Sequence, residues 1–220
     1  MAKFSLAGNK RTPKGESGHS RNSHHNESQN WRNRCHRQHG NFCFYLVGHK
    51  EDGPMKVLIK ISGGTEKDRA KVLAAAAILE YTVNSIEFKD SVYGHVYDRQ
   101  IQFADNQGLS NKQIYDVIMS GQETLNPVLD YEWNIDLILY SKRFTKTIGY
   151  TYPNVTWVKS NLRFVRSMSI AKLAGHIAHE HCHKLGFGHD FKLTKKRPYS
   201  VPYAIGTIVE ALADEFLKEN

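Results

Sequence analysis

The stretch that most constrains this 220-residue chain is His179-Glu180-His181-Cys182-His183-Lys184-Leu185-Gly186-Phe187-Gly188-His189-Asp190. It has the form H-E-x-x-H-x-x-G-x-x-H-D. A helix turns about 100° per residue, so residues four apart lie nearly above one another. His179 and His183 can therefore grip one metal ion from a single helical face. Glu180 stands beside the first ligand and can reach a water on that metal without being a ligand itself. The third imidazole has to converge from another direction, which the next helical turn cannot provide. Gly186 resolves this, because it can take the left-handed conformation that ends a helix and turns the chain. His189 then returns to the metal from outside the helix. Three imidazoles leave a fourth position open, as catalytic rather than structural zinc sites do. Neutral imidazoles also suit iron, copper or nickel, so the ligand set favours zinc without excluding these.

Five fixed positions make the pattern far more specific than a bare H-E-x-x-H. It resembles the signature of the metzincin clan of zinc endopeptidases. The Asp after the third His is similar to that of adamalysins and snapalysins. The resemblance implies a zinc-dependent metallopeptidase acting on a peptide or protein substrate. His179, His183 and His189 would be its zinc ligands and Glu180 its general base. It also implies an α/β (α+β) fold: a mixed twisted sheet, a backing helix, an active-site helix and a C-terminal helix. In the clan a tight turn with a Met lies beneath the metal, often with a Tyr two residues on. Ser200-Val201-Pro202-Tyr203 is similar, but Val201 stands at the Met position. The likeness gives Tyr203 a hydrogen bond to the oxyanion of the reaction and Asp190 an anchoring role in the turn or the helix. Val201 is expected to fill the apolar place beneath the imidazoles.

The formal net charge is +8. Nine Lys or Arg against four Asp or Glu in residues 1–54 concentrate the basic excess there. Residues 1–40 are rich in Ser, Asn, Gly, Arg and His, too polar to bury enough surface to order themselves. The domain division expected is a basic extension over 1–54 and a catalytic domain over 55–220, with Met55 also a candidate natural start. The arm's histidines (His19, His24, His25, His36 and His39) could bind metal loosely and its basic residues could touch nucleic acid, but a solvated tail is the simpler expectation. No apolar run approaches the roughly 20 residues that span a membrane, and no signal-peptide apolar region opens the chain. Three cysteines (Cys35, Cys43 and Cys182) do not make a disulfide framework. These features point to a cytoplasmic protein with no membrane partner, with release by another route left open, and a monomer is expected.

From Met55 the patterning predicts a strand over 56–61, then a helix over 66–83 with Thr65 and Asp68 at capping-box spacing and Val72, Ala76, Leu79 and Val83 as its buried stripe. Residues 86–90 and 93–103 read as strands. Ser110 with Gln113 starts a helix to about residue 120. A strand over 132–141 carries Trp133, Ile135, Leu137 and Leu139 on one face, and strands over 146–152 and 154–159 follow, joined at Pro153-Asn154. The metal helix is expected from about Ser169 to Leu185, with His181 pointing away from the metal and Cys182 a small buried apolar side chain. His176 is expected to support the site or the core rather than ligate. A C-terminal helix over about 203–218 completes the domain. In the resemblance an antiparallel edge strand above the cleft pairs with the substrate. Ile148, Gly149 and Tyr150 stand where that strand is expected, with Gly149 letting a substrate backbone come close. The alternative function is a metzincin-like domain that binds a peptide or partner without cleaving it.

Overall fold

The computed structural model describes residues 53–219. The expectations for the basic arm, its histidines, Cys35 and Cys43 fall on residues outside that range. Met55 is buried, and Asn84 holds its backbone on both sides: the Met55 N–H donates to Asn84 Oδ1 at 2.8 Å, and Asn84 Nδ2 donates to the Met55 carbonyl at 2.8 Å. Strand β1 (Lys56–Ser62) follows at once, and two glycines with positive φ turn the chain into helix α1 (Glu66–Val83). The capping box forms with Asp in place of the more usual Glu: Thr65 Oγ1 accepts from the Asp68 N–H and Asp68 Oδ2 accepts from the Thr65 N–H. The predicted stripe of α1 is buried throughout.

The next segment corrects the sequence reading. Residues 86–90 are not a strand but belong to helix α2 (Ile86–Tyr93), capped by Ser85. Phe88 and Val92, four apart, are both fully buried. That spacing is helical, and with a serine cap it outweighs the alternation that suggested extended chain. The strand expected over 93–103 shrinks to a hairpin of β2 (Val96–Tyr97) and β3 (Gln100–Ile101), turned by Asp98 and Arg99, both left-handed. Helix α3 (Asn111–Ser120) carries the predicted Ser110–Gln113 box and ends on left-handed Gly121.

Strand β4 (Glu132–Tyr140) buries Trp133, Ile135, Leu137 and Leu139 as predicted. The two strands expected next are shorter and shifted: β5 is Gly149–Tyr150 and β6 is Trp157–Asn161, with the turn at Pro153-Asn154 between them. Helix α4 (Leu162–Ser167) was not anticipated. Helix α5 (Ile170–Lys184), a 3-10 turn at Arg197–Tyr199 and helix α6 (Val201–Glu219) complete the domain.

The fold is mixed α/β. One four-stranded sheet has the order β1-β4-β6-β5, in which β1, β4 and β6 are parallel and β5 is antiparallel at one edge. Buried faces of α1 and α5 join the apolar side of β4 in one core. At the other edge, α1 covers part of β1: Glu80 Oε2 accepts from the Val57 N–H at 2.7 Å. Among the described residues no helix is long and apolar enough to cross a membrane.

Helices α5 and α6 approach through two glycines. A Cβ on Gly175 would collide with the Gly206 carbonyl, and one on Gly206 would lie 2.9 Å from the Gly175 carbonyl and 3.1 Å from His179 Cβ. Gly175→Ala is therefore expected to destabilise by about 1–3 kcal/mol through overpacking, although alanine gains roughly 0.5–1 kcal/mol of helix propensity. Urea unfolding midpoints check this. A midpoint at or above wild type would mean that the helices can move apart freely.

Candidate metal centre

Ser169 caps α5, accepting from the Lys172 N–H at 3.0 Å. The other end closes as a Schellman turn: the Gly186 N–H donates to the His183 carbonyl and the Phe187 N–H to the Cys182 carbonyl, with Gly186 at φ +95°. This is the left-handed exit expected of Gly186. Two distant groups hold it. Gln107 Nε2 donates to the Gly186 carbonyl at 2.8 Å, and the Thr124 methyl lies 2.9 Å from where a Cβ on Gly186 would be.

The turn brings His189 back to the helix. One ligand nitrogen from each of His179, His183 and His189 lies within 4.8 Å of the others, close enough to hold a metal ion. The unused nitrogens explain the convergence. His183 Nδ1 is 2.8 Å from the Phe187 carbonyl, His189 Nδ1 is 3.0 Å from the Asp190 carbonyl, and the His179 ring bonds to the Pro202 carbonyl. A backbone acceptor on one side of each ring fixes its orientation and tautomer and leaves the other nitrogen for a metal. Burial, helped by the neighbouring imidazoles, pushes His179 down to about 2, and burial pushes His183 down to about 4. His179 and His183 are therefore neutral at pH 7, which is the ligating form. The three residues fit a divalent cation that takes nitrogen ligands.

Glu180, next to the first imidazole, is 4 % exposed, and burial pushes its carboxyl up to about 8. Its Oε1 lies 3.8 Å from Nδ1 of His176. His176 supports the site rather than joining it: its Nε2 is 2.9 Å from the Ser160 hydroxyl on β6. The structure gives Gly149 a reason that the sequence did not show. A Cβ there would lie 2.6 Å from His176 Cε1, so the missing side chain makes room for that imidazole. Gly149 and Tyr150 pair with Ser160 and Lys159, and the Ile148 carbonyl accepts from the Asn161 N–H. All three residues named for substrate contact thus sit on or beside the antiparallel edge strand, tied to α5 through His176.

Tyr203, in the first turn of α6, packs its ring 4.6 Å from that of His179 and 4.7 Å from that of His189. Arg197 donates a guanidinium N–H to the Tyr203 hydroxyl and lies 4.8 Å over its ring. Nothing in the sequence marked Arg197 out from its basic neighbours. Val201 is fully buried at the start of α6. Asp190 anchors the loop, not the helix: its carboxylate accepts from Thr194 Oγ1 at 2.6 Å and lies 3.5 Å from Lys196, which also bridges to Asp105.

His181 and Cys182 are not ligands. His181 stacks on Trp133 at 4.3 Å in the core, both ring nitrogens without a hydrogen-bond partner, and burial holds it well below its ordinary value. Burial likewise raises the Cys182 thiol far above its ordinary range, so it is inert. Sequence reading missed the group beyond His183. Lys184 is buried with Glu123, its ammonium 2.8 Å from Oε2 and 2.6 Å from the Asn134 carbonyl. Compared with known protein families, with curated proteins and with solved structures, the chain shows no match.

Proposed function

We propose that this chain is a zinc-dependent metallopeptidase, metzincin-like in its site, that hydrolyses peptide bonds. The observation that carries the reading is the convergence of His179, His183 and His189 around a Schellman turn, with a buried carboxyl on the next residue of the helix. A zinc ion held by these nitrogens supplies Lewis acidity for the scissile carbonyl and lowers the pKa of a water to about 7. Glu180, whose carboxyl burial alone pushes up to about 8, would be favoured in its ionised form beside a bound cation. Glu180 takes the proton of the attacking water and passes it to the leaving amine. Tyr203 is suited to meet the oxyanion: its oxygen accepts from Arg197, so its own proton is free to be donated. Val201 in place of the clan's Met alters the apolar base of the site without removing a ligand.

An extended peptide can add to the sheet at β5. Strand β5 is the last in the order, whereas α1 partly covers the opposite edge. A second reading, a domain that binds peptides without cleaving them, draws support from the departure at Val201 and is separated by the same experiments.

His183→Ala is expected to lose stoichiometric zinc by elemental analysis, and with it the melting temperature that metal adds, since the site joins a helix to a loop. Full zinc occupancy in that variant would sink the ligand assignment. Residues 1–54 are expected to be dispensable: full-length protein and 55–220 should cleave one substrate with turnover numbers within tenfold, about 1.4 kcal/mol in barrier. A larger loss would place the arm inside the active domain.

A further inference from the structure

Between Asp136 and Glu180 the chain contains no Asp or Glu but seven Lys or Arg, and between Glu180 and Glu210 the only acid is Asp190. Both of these acids are committed: Glu180 is buried beside His176, and Asp190 is held by Thr194 and Lys196. The segment entering the edge strand and the loop leaving the third histidine therefore carry no free carboxylate. Lys142, Arg143 and Lys146 precede β5, and Lys192 and Lys195 follow His189. Among the described residues none of these five has a carboxylate within ion-pair distance.

The same two segments hold the three most exposed large apolar side chains of the described residues: Phe144 at 98 %, Phe191 at 95 % and Leu193 at 93 %. Both segments are anchored near the elements of the site. Asn161 takes the Lys142 carbonyl with its Nδ2 and the Ile148 carbonyl with its backbone N–H, so the first loop closes on the end of β6 next to β5. Arg197 ties the second loop to Tyr203 and, through the Phe191 carbonyl, to its own start. Cations without ion-paired carboxylates, on two segments tied to the elements of the site, give a field that draws anions and repels cations.

We infer that the ligand of this site is an acidic peptide, one that alternates Asp or Glu with large apolar residues. The inference takes its location from the peptidase reading and its charge from the residues above. A nucleic acid is the other polyanion that such a surface could attract. Phe144 and Phe191 are exposed, but the rings on and beside the sheet edge do not offer it a continuous platform. Tyr140, Tyr152 and Trp157 meet Tyr150 edge-on at 5.8–6.1 Å, and Lys159 lies 4.4 Å over Trp157 and 5.9 Å over Tyr150. These rings are engaged with one another, whereas an open sheet edge matches a peptide backbone.

The test uses full-length, zinc-loaded Glu180→Gln, which removes turnover, and two labelled decapeptides with the same apolar residues, one carrying four Asp or Glu and the other four Lys. Fluorescence anisotropy should show the acidic peptide binding at least tenfold more tightly at low salt, with the gap closing as salt rises. Lys192→Glu with Lys195→Glu, and separately Lys142→Glu with Lys146→Glu, should each reduce the preference while zinc content and circular dichroism stay unchanged. Equal binding of the two peptides, or full displacement of the acidic one by a single-stranded oligonucleotide at equal concentration, overturns the inference. Digestion of both peptides by wild type keeps the two readings apart. Cleavage without acidic preference removes the inference and leaves the peptidase. Acidic binding with no cleavage removes the peptidase and leaves the inference.

Discussion

Glu180→Gln is expected to retain one zinc per chain and to lose about 10²–10⁴-fold in kcat, the usual worth of a general base. The amide keeps the shape of a buried carboxyl next to His179 but cannot accept the water's proton. Zinc should stay because the ligating nitrogens are oriented by the carbonyls of Phe187, Asp190 and Pro202, not by Glu180. Tyr203→Phe sets the order of effects. It too should keep zinc, and its loss of turnover should be smaller, with substrate affinity barely changed, because a bond to the oxyanion forms mainly in the transition state. Single-turnover kinetics and metal analysis on the same preparations check both. If zinc-loaded wild type cleaves nothing in a broad peptide library, the binding-domain reading replaces the peptidase. If Tyr203→Phe changes nothing, the tyrosine only packs against His179 and His189.

Lys184→Met is expected to be the most damaging substitution for the fold outside the ligands, at about 3–5 kcal/mol, the usual cost of removing one partner of a buried ion pair. Methionine replaces the length of the side chain but leaves the Asn134 carbonyl without its buried donor and takes the ammonium from the Glu123 carboxylate, which keeps the Asn134 backbone N–H. The loss should depend on pH. Burial already raises Glu123 above its ordinary 4.5 although Lys184 pulls it down, and without the ammonium it should rise further. A carboxyl whose folded pKa exceeds its unfolded one destabilises progressively as pH rises from the unfolded value through the folded one. The deficit of Lys184→Met relative to wild type should therefore be smallest near pH 4.5 and grow toward pH 8. Subtracting wild type at each pH removes the titration of His176, His179, His183 and Glu180, and relief of His181, which Lys184 also holds down, acts in the same direction because it lessens the deficit only at the acid end. Urea midpoints across that range measure it. A deficit independent of pH would mean that Glu123 finds another donor. The double variant with Glu123→Gln should recover much of the loss, because no charge is then left buried.

The features legible in the sequence were those whose cause lies within a few residues. The capping boxes at Thr65 and Ser110, the buried stripes of α1 and β4, and the extent of α5 follow from i, i+3 and i+4 spacing or from alternation. The histidine triad was legible for the same reason: His179 and His183 share one helical face, and the exit at Gly186 needs a residue without a side chain. Misreadings arose where two local periods competed. Ile86 and Phe88 fit a strand by alternation, but Phe88 and Val92 fit a helix, and burial of both against the core decided it.

What only the tertiary structure decided are meetings between groups far apart in the chain. Gly149 is needed because His176 occupies the space beside it, and Gly175 because α6 crosses there through Gly206. Arg197 has a role only because α6 brings Tyr203 against two imidazoles. Lys184 was one more cation at a helix end until folding placed Glu123 and Asn134 around it. Local spacing determines which face a side chain occupies. It carries no information about which distant group will close over that face, because that depends on how the sheet and helices pack.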